Sequence, residues 1–234
     1  MKGKLTLVPT PIDEEHPLEQ VAFSLLKEAF ETKNEKTIFA IEDLKAGRRR
    51  WIRWGLPREA VNDFTLYNEH THKEASQELL NELQKGKDVF LMSDGGLPAF
   101  CDPGRDLVDL CHRSGIKVTS TPFPHSISLA LSLSGFSHQN FWFEGFLPAK
   151  KELRQKRWKE LLEMKSTLVV MDTPYRLEKT LQDLGQNLRR DVFLALDLNC
   201  STEELYRGKA NKILKKLKEK KREFILVISS VGQI

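Results

Sequence analysis

Short β-rich runs alternate with segments of helical periodicity along the whole chain. In the first half, four apolar runs predict strands, at residues 4–8, 37–41, 88–92 and 116–120. Between the first two, apolar residues from Leu18 to Phe30 recur at helical spacing, and residues 72–86 predict another helix that ends at Gly86. A strand-and-helix alternation of this kind predicts an α/β fold with a largely parallel sheet.

The second half of the chain repeats this alternation with different residues. Strands are predicted at residues 141–146, 167–171, 191–196 and 223–230, and helices near 150–164, 174–185 and 209–221. Pro122 and Pro124 disfavour helix and stiffen the chain between the halves. The predicted organisation is therefore an N-terminal lobe at 1–120, a connecting segment at 121–148 and a C-terminal lobe at 149–234.

Composition excludes several classes of protein. The chain has 234 residues, 40% hydrophobic and 30% charged, which is typical of a globular protein and not of a disordered one. No apolar run approaches the roughly 20 residues that span a bilayer. The three cysteines form no CxxC pair, and His70 and His72 lack a ligand set beside them. We therefore expect a cytoplasmic protein with reduced thiols and no metal site.

Charge is distributed unevenly along the chain. Residues 1–147 carry 17 Lys and Arg against 21 Asp and Glu, whereas residues 148–234 carry 20 against 12. The basic second half indicates an anionic partner such as RNA, or equally a lysine-rich solvated surface.

The segment "LMSDGGLPAFCDPG", residues 91–104, carries the clearest site pattern. It follows a predicted buried strand, and ligands of open α/β sheets bind beyond the carboxyl ends of strands. Gly95 and Gly96 allow unusual backbone dihedrals and close approach to a ligand. Asp102 and Pro103 predict a helix start, with Asp102 as the cap. A tight connection without a ligand explains the pattern equally well. The chain has neither GxGxxG after the first strand nor GxxxxGK[ST], which argues against dinucleotide and P-loop enzymes.

Four motifs resemble a known superfamily. "LVPTPI" (7–12), "IEDLKAGRR" (41–49), "SDGGLPAFCDPG" (93–104) and "EGFLPAK" (144–150) are similar to motifs of the tetrapyrrole methylases, and in particular of the ribosomal RNA small-subunit methyltransferase I family. That family methylates a cytidine 2′-hydroxyl with S-adenosylmethionine. The resemblance, over about residues 4–230, implies a two-lobed class III methyltransferase fold, a cofactor cleft between the lobes and a homodimer.

The resemblance also implies where the cofactor binds. The implied positions lie in loops of both lobes: Pro9, Ser93, Asp94, Gly95, Gly96, Leu97, Pro98, Pro122, Pro124, Ser126, Asp172, Thr173, Leu196 and Leu198.

Two departures from the family pattern keep alternatives open. Asp13-Glu14-Glu15 replaces Gly-Asn-Leu, and Leu97 replaces a threonine. A methyltransferase of small molecules, or an inactive module that binds the cofactor, is therefore an alternative to an RNA methyltransferase.

A hydroxyl acceptor requires a general base within hydrogen-bond reach. The candidates are Glu42, Asp43 and His125, with Asp94 also available. His125 titrates near neutrality, but a partly buried loop histidine is the alternative interpretation. Glu42 is alternatively a cap of the helix that follows it.

The segment "RRRWIRW" (48–54) interleaves arginines with tryptophans. Arg48, Arg49, Arg50 and Trp51 are the predicted RNA contacts, because arginines bind phosphates and aromatic rings stack on bases. The alternative is a helix that buries Trp51 and Trp54.

Overall fold

A computed structural model describes residues 1–123 and 125–232, the side chains at 33, 34, 186 and 187 excepted. The chain forms two compact units, Met1–Phe123 and Pro124–Ile234. Within the described residues, no helix combines the length and apolar character needed to cross a bilayer. The mixed α/β class with two sheets is as predicted.

The first unit is built on a five-stranded parallel sheet in the order β3-β2-β4-β1-β5. Its strands are β1 (Lys4–Val8), β2 (Thr37–Ile41), β3 (Thr65–Leu66), β4 (Asp88–Met92) and β5 (Lys117–Ser120). Its helices are α1 (Gln20–Lys33), α2 (Leu44–Arg53), α3 (His72–Gln84) and α4 (Arg105–Arg113), with 3₁₀ turns at Asn34–Lys36 and Arg58–Asp63. All five strands end at one edge of this sheet.

Apolar side chains cover both faces of the first sheet. One cluster joins the sheet to α3 and α4 through Leu79, Leu83 and Leu107, and the other joins it to α1 and α2 through Leu26 and Trp51. β4 is buried from Val89 to Met92, as its unbroken apolar run predicts for a central parallel strand.

The second unit has a mixed sheet in the order β6-β7-β10-β8-β9. Its strands are β6 (Phe141–Phe146), β7 (Thr167–Asp172), β8 (Val192–Leu196), β9 (Glu204–Gly208) and β10 (Phe224–Ile228). Its helices are α5 (Ser126–Ser134), α6 (Lys151–Glu163), α7 (Leu177–Asn187) and α8 (Ala210–Lys216), with a 3₁₀ turn at Pro174–Arg176. Only β6 and β7 pair in parallel, so the expectation of a largely parallel sheet holds for the first unit and is wrong for the second.

Most predicted elements are present, but three were missed. β3 has only two residues, and β9 is an exposed edge strand with little apolar pattern. The segment that forms α5 alternates serine with apolar residues, which conceals its helical face. That face consists of Ile127, Ala130, Leu131 and Ser134, and it packs on the second sheet. The predicted connecting segment, residues 121–148, contains α5 and β6. The predicted division into two lobes and this connecting segment stays a prediction.

A buried ion-pair network organises the second unit. Arg154 of α6 is 4% exposed and donates hydrogen bonds to Asp172 (2.6 Å), Thr180 (2.6 Å) and Asp183 (3.2 Å). Asp172, 2% exposed, also accepts from Arg176 at 3.3 Å and from the Thr173 amide at 2.9 Å. A buried charge is tolerated only when it is paired and hydrogen-bonded in this way.

Replacing Arg154 with alanine should lower the free energy of unfolding by about 3–5 kcal/mol, because Asp172 loses its main partner while it stays buried. Chemical denaturation followed by circular dichroism measures the loss. Lys179→Ala is the control, since Lys179 binds Asp183 from an exposed position and exposed ion pairs contribute about 1 kcal/mol or less. Equal losses in the two variants would contradict a structural role for the network.

Candidate active site

The loops after β1 and β4 are hydrogen-bonded to each other. Thr10 and Gly96 form an isolated antiparallel bridge, with N–H to carbonyl distances of 2.9 and 2.8 Å. The Thr10 hydroxyl donates to the Ser93 carbonyl at 2.9 Å, and the Ser93 hydroxyl donates to the Gly96 carbonyl at 3.1 Å. These contacts fix both loops at the carboxyl edge of the sheet.

The loop after β4 has a strained backbone. Ala99 and Cys101 both have φ of 66°, a left-handed conformation that is uncommon outside glycine. Gly104 has φ of 141°, and a Cβ there would lie 2.9 Å from the Ala99 amide nitrogen. Strained residues of this kind concentrate at ligand-binding and active sites.

Carboxylates from two strand ends meet at this edge. Glu42 follows β2 and accepts a hydrogen bond from the Asp94 amide at 3.1 Å. Burial and, to a smaller extent, the charges of Glu42 and Asp43 together raise the pKa of Asp94 to about 6. Burial and the charge of Glu42 likewise raise the pKa of Asp102 to about 6. This region, called the acidic edge, consists of Glu42, Asp43, Asp94 and Asp102. It therefore carries a concentrated negative charge above pH 6.

Asp43, and not Glu42 or Asp102, caps a helix in this region. It accepts hydrogen bonds from the amides of Lys45 (2.7 Å) and Ala46 (2.8 Å) at the start of α2, and these bonds lower its pKa. The predicted capping role of Asp102 is wrong, because α4 begins at Arg105 after Gly104. Asp102 is instead a half-buried acid of the site.

The other predicted cofactor positions of the first unit surround the same edge. Pro9, Ser93 and Pro98 are buried in the two bridged loops, whereas Gly95 and Leu97 are half-buried. Pro122 follows β5 and is exposed.

A cavity of about 280 Å³ lies beside the strained loop. Its lining is mainly polar: Glu69, His72, Cys101, Asp102, Pro103, Gly104, Arg105 and Asp106. His72 Nδ1 lies 3.0 Å from Asp106 Oδ2 in its wall. Across the described part of the chain, no three His, Cys, Asp or Glu side chains are placed to hold a metal.

In the second unit, predicted cofactor positions lie at two strand ends. β7 and β8 both run antiparallel to β10, so Thr173 and Leu198 follow strands that end at one edge. The backbone after β8 is left-handed at Asp197 (φ 43°) and Asn199 (φ 66°).

The side chain of Asp172 is bound in the ion-pair network, so only its backbone is available to a ligand. Leu196 is buried in the apolar core. Leu198 packs with Met171 and Ile127 in one apolar cluster.

The N-terminal end of α5 carries the last predicted positions. Ser126 is the first residue of α5, and His125 precedes it. His125 is half-buried, and burial lowers its pKa. A lowered pKa keeps the imidazole neutral at physiological pH, as a general base requires. Pro124 lies outside the described residues.

Two of the predicted RNA contacts lie in the interior of the first unit. Trp51 is 1% exposed, packs on Phe39 and donates to the Pro57 carbonyl at 2.8 Å. Arg50 is buried and donates to the Pro11 carbonyl at 2.6 Å. Neither side chain is available for base stacking or phosphate contact, which corrects the prediction at these two residues. Arg48 and Arg49 are exposed on α2.

Sequence reasoning missed three contributors to the site. Thr10 joins the two loops, Arg50 holds the Pro11 carbonyl, and Asp102 adds a further carboxyl group to the site. The only available signals were the position of Thr10 directly after Pro9 and of Asp102 in the "DPG" segment.

Comparison with known proteins identifies the family. Residues 4–214 match the family model of the tetrapyrrole (corrin/porphyrin) methylases. The chain belongs to this family.

Among its relatives are proteins named ribosomal RNA small subunit methyltransferase I. The protein from Thermotoga maritima is 33% identical over 220 residues, which cover 94% of each chain. The protein from Escherichia coli O157:H7 is 31% identical over 97% of this methylase and 78% of its own length.

Solved structures share the fold of this methylase at low sequence identity. A diphthine synthase superposes with a TM-score of 0.67 and 11% identity, over 97% of this chain and 90% of its own. A uroporphyrin-III C-methyltransferase from Thermus thermophilus, solved with S-adenosyl homocysteine, superposes with a TM-score of 0.54 and 16% identity, over 97% of both chains.

Replacing Asp94 with asparagine should stabilise the methylase at neutral pH. The folded pKa of Asp94 is about 6 against an ordinary value of 3.8, so the carboxylate lowers stability above pH 6. This destabilisation disappears as the pH falls from 6 towards 4. Asp94→Asn should therefore have a higher Tm than wild type at pH 7.5, and the difference in Tm should be smaller at pH 5.

Thermal melts at the two pH values measure this effect. Asp109→Asn is the control, because Asp109 is an exposed carboxylate on α4. A pH-independent difference between Asp94→Asn and wild type would contradict the raised pKa.

Proposed function

We propose that this S-adenosylmethionine-dependent methyltransferase methylates RNA, with a ribose hydroxyl of small-subunit ribosomal RNA as the acceptor. The observation that carries the proposal is the 33% identity to a ribosomal RNA small subunit methyltransferase I over 94% of both chains. The predicted homodimer and cytoplasmic location stay predictions.

The residues at the edge of the first sheet fit the cofactor. When bound, S-adenosylmethionine supplies an electrophilic methyl group on a positively charged sulfonium. Asp94 and Asp102 would hold this cation by charge, and the Thr10–Gly96 bridge would keep the loops in place. Ser93, Gly95 and Gly96 would allow close backbone approach, as the resemblance implies.

Asp94 is also suited to accept the proton of the acceptor hydroxyl. Its pKa of about 6 makes it a stronger base than an ordinary aspartate, while it stays ionised at neutral pH. Glu42 contributes by hydrogen-bonding the Asp94 amide and by adding negative charge. Asp43 is a weaker candidate, because two amide hydrogen bonds lower its pKa.

The exposed arginines of α2 are the proposed RNA contacts of the first unit. Arg48 and Arg49 lie on the surface of a helix that begins directly after Glu42 and Asp43. RNA phosphates bound there would place the strand next to the acidic edge.

The affinity for S-adenosylmethionine should fall as the pH is lowered from 7.5 to 5, because protonation of Asp94 and Asp102 removes negative charge beside the sulfonium. The affinity for S-adenosylhomocysteine should fall less, since its thioether carries no charge. Calorimetric titration of both ligands at each pH makes the comparison. Parallel losses for the two ligands would argue against electrostatic recognition by these acids.

Methyl transfer to RNA should be detected with radiolabelled S-adenosylmethionine and unmodified ribosomal RNA, followed by nucleoside analysis. A 2′-O-methylated nucleoside is the expected product. Labelling of a small molecule from a cell extract, with none in RNA, would replace the RNA proposal.

In the same assay, Arg48→Ala/Arg49→Ala should raise the RNA concentration needed for half-maximal rate without changing cofactor affinity. The loss of two phosphate contacts should also reduce the salt dependence of RNA binding by about 1.4 units of slope. Lys85→Ala/Arg113→Ala is the charge-matched control, because both residues are exposed and outside α2.

A further inference from the structure

A second cavity of the first unit lies at the far end of α2. It has a volume of about 320 Å³ and is formed by the loop before α1, the first part of α1 and the end of α2. Its lining combines apolar, aromatic and charged side chains: Glu15, His16, Pro17, Leu18, Gln20, Phe23, Arg53 and Trp54. None of these residues belongs to the acidic edge.

An aromatic ring forms one wall of this cavity. Trp54 is half-buried, in contrast to the fully buried Trp51, and its indole nitrogen donates to the His16 carbonyl at 3.3 Å. This bond fixes the orientation of the ring, and Leu18 and Phe23 add apolar surface. A fixed indole beside apolar surface is suited to contact a flat aromatic ligand.

Arg53 lines the cavity and Arg49 lies one turn away on α2, and both arginines already hold carboxylates. Arg53 Nη1 lies 2.6 Å from Glu15 Oε1 and donates to the Glu14 carbonyl at 3.0 Å. Arg49, one turn earlier on α2, forms a fork on the Glu14 carboxylate, with Nε 3.1 Å from Oε2 and Nη2 bound to Oε1. The same planar fork binds phosphate.

We propose that this cavity binds one unstacked base of single-stranded RNA against Trp54, while the flanking phosphates replace Glu14 and Glu15 on Arg49 and Arg53. The proposal rests on the proposed RNA substrate. A nucleotide is the occupant because it joins a flat ring to anionic groups, and the cavity joins an aromatic wall to Arg53, with Arg49 one turn away on α2. Glu14 and Glu15 thus act as internal competitors of phosphate.

Because Glu14 and Glu15 compete with phosphate, removal of their charges should raise the affinity for RNA. Glu14→Gln/Glu15→Gln frees both arginines and should tighten RNA binding by several-fold, with a steeper dependence on salt. Glu82→Gln is the matched control, because Glu82 also holds two basic side chains, Lys85 and Lys87, but on α3. The control should leave the affinity for RNA within twofold of wild type.

The base contact is tested with two fluorescent probes, a twelve-nucleotide single-stranded RNA of mixed sequence and an abasic strand of the same length. Trp54→Leu should bind the RNA about fivefold or more weakly and the abasic strand as wild type does, because stacking on one base is lost. Trp54→Phe should retain most of the affinity. Thermal melts and calorimetry with S-adenosylmethionine confirm that each variant is folded.

Three outcomes would overturn the proposal: equal binding of the two probes by wild type, unchanged RNA binding by Trp54→Leu, or no gain in Glu14→Gln/Glu15→Gln beyond that of Glu82→Gln. The methyl-transfer assay separates this proposal from the proposed function. If the protein methylates RNA but Trp54→Leu binds RNA as wild type does, the proposed base-binding role of the cavity is wrong and the proposed function stands. If the variants show the expected binding pattern but RNA is not methylated, the base-binding role of the cavity stands and the proposed function is wrong.

Discussion

The backbone bridge between Thr10 and Gly96 is the contact on which the first-unit site depends. β1 and β4 are parallel neighbours in the sheet although paired residues such as Leu5 and Val89 are far apart in sequence, and the antiparallel bridge joins the loops that follow the two strands. Because the Thr10 hydroxyl also holds the Ser93 carbonyl, the two loops form one connected unit. The left-handed residues Ala99 and Cys101 lie in the same loop, three and five residues after Gly96.

A parallel sheet also explains why acids gather at this edge. Parallel strands end on the same side of a sheet, so the residues that follow them lie close together. Here Glu42 follows β2 and Asp94 lies just after β4. Partial burial and the charge of Glu42 raise the pKa of Asp94, so its ionised carboxylate lowers the stability of the protein at neutral pH.

Strands and most helices could be predicted from local pattern, because a run as short and as rich in apolar residues as residues 88–92 is typical of a strand buried on both faces. α5 could not, since alternating serines hide a helical stripe that only the facing sheet reveals. At the site, the glycine-rich loop was recognisable from its composition, whereas the roles of Asp102 and Thr10 depend on contacts between loops distant in sequence. Trp51 shows the same limit: interleaved arginine and tryptophan fit an RNA surface and a buried helix face equally, and tertiary packing decided between them.

The position of β1 has a consequence for how the chain folds during synthesis. β1 is made before the other strands of its sheet, yet its two partners, β4 and β5, end at Met92 and Ser120. Its backbone N–H and C=O groups therefore lack their sheet partners until β4 and β5 have been made, at a synthesis rate of about 5–20 residues per second. During those seconds Lys4–Val8 is an open strand with no sheet to join, the kind of segment that chaperones bind. β1, one of the three inner strands of the finished sheet, waits longest for its neighbours.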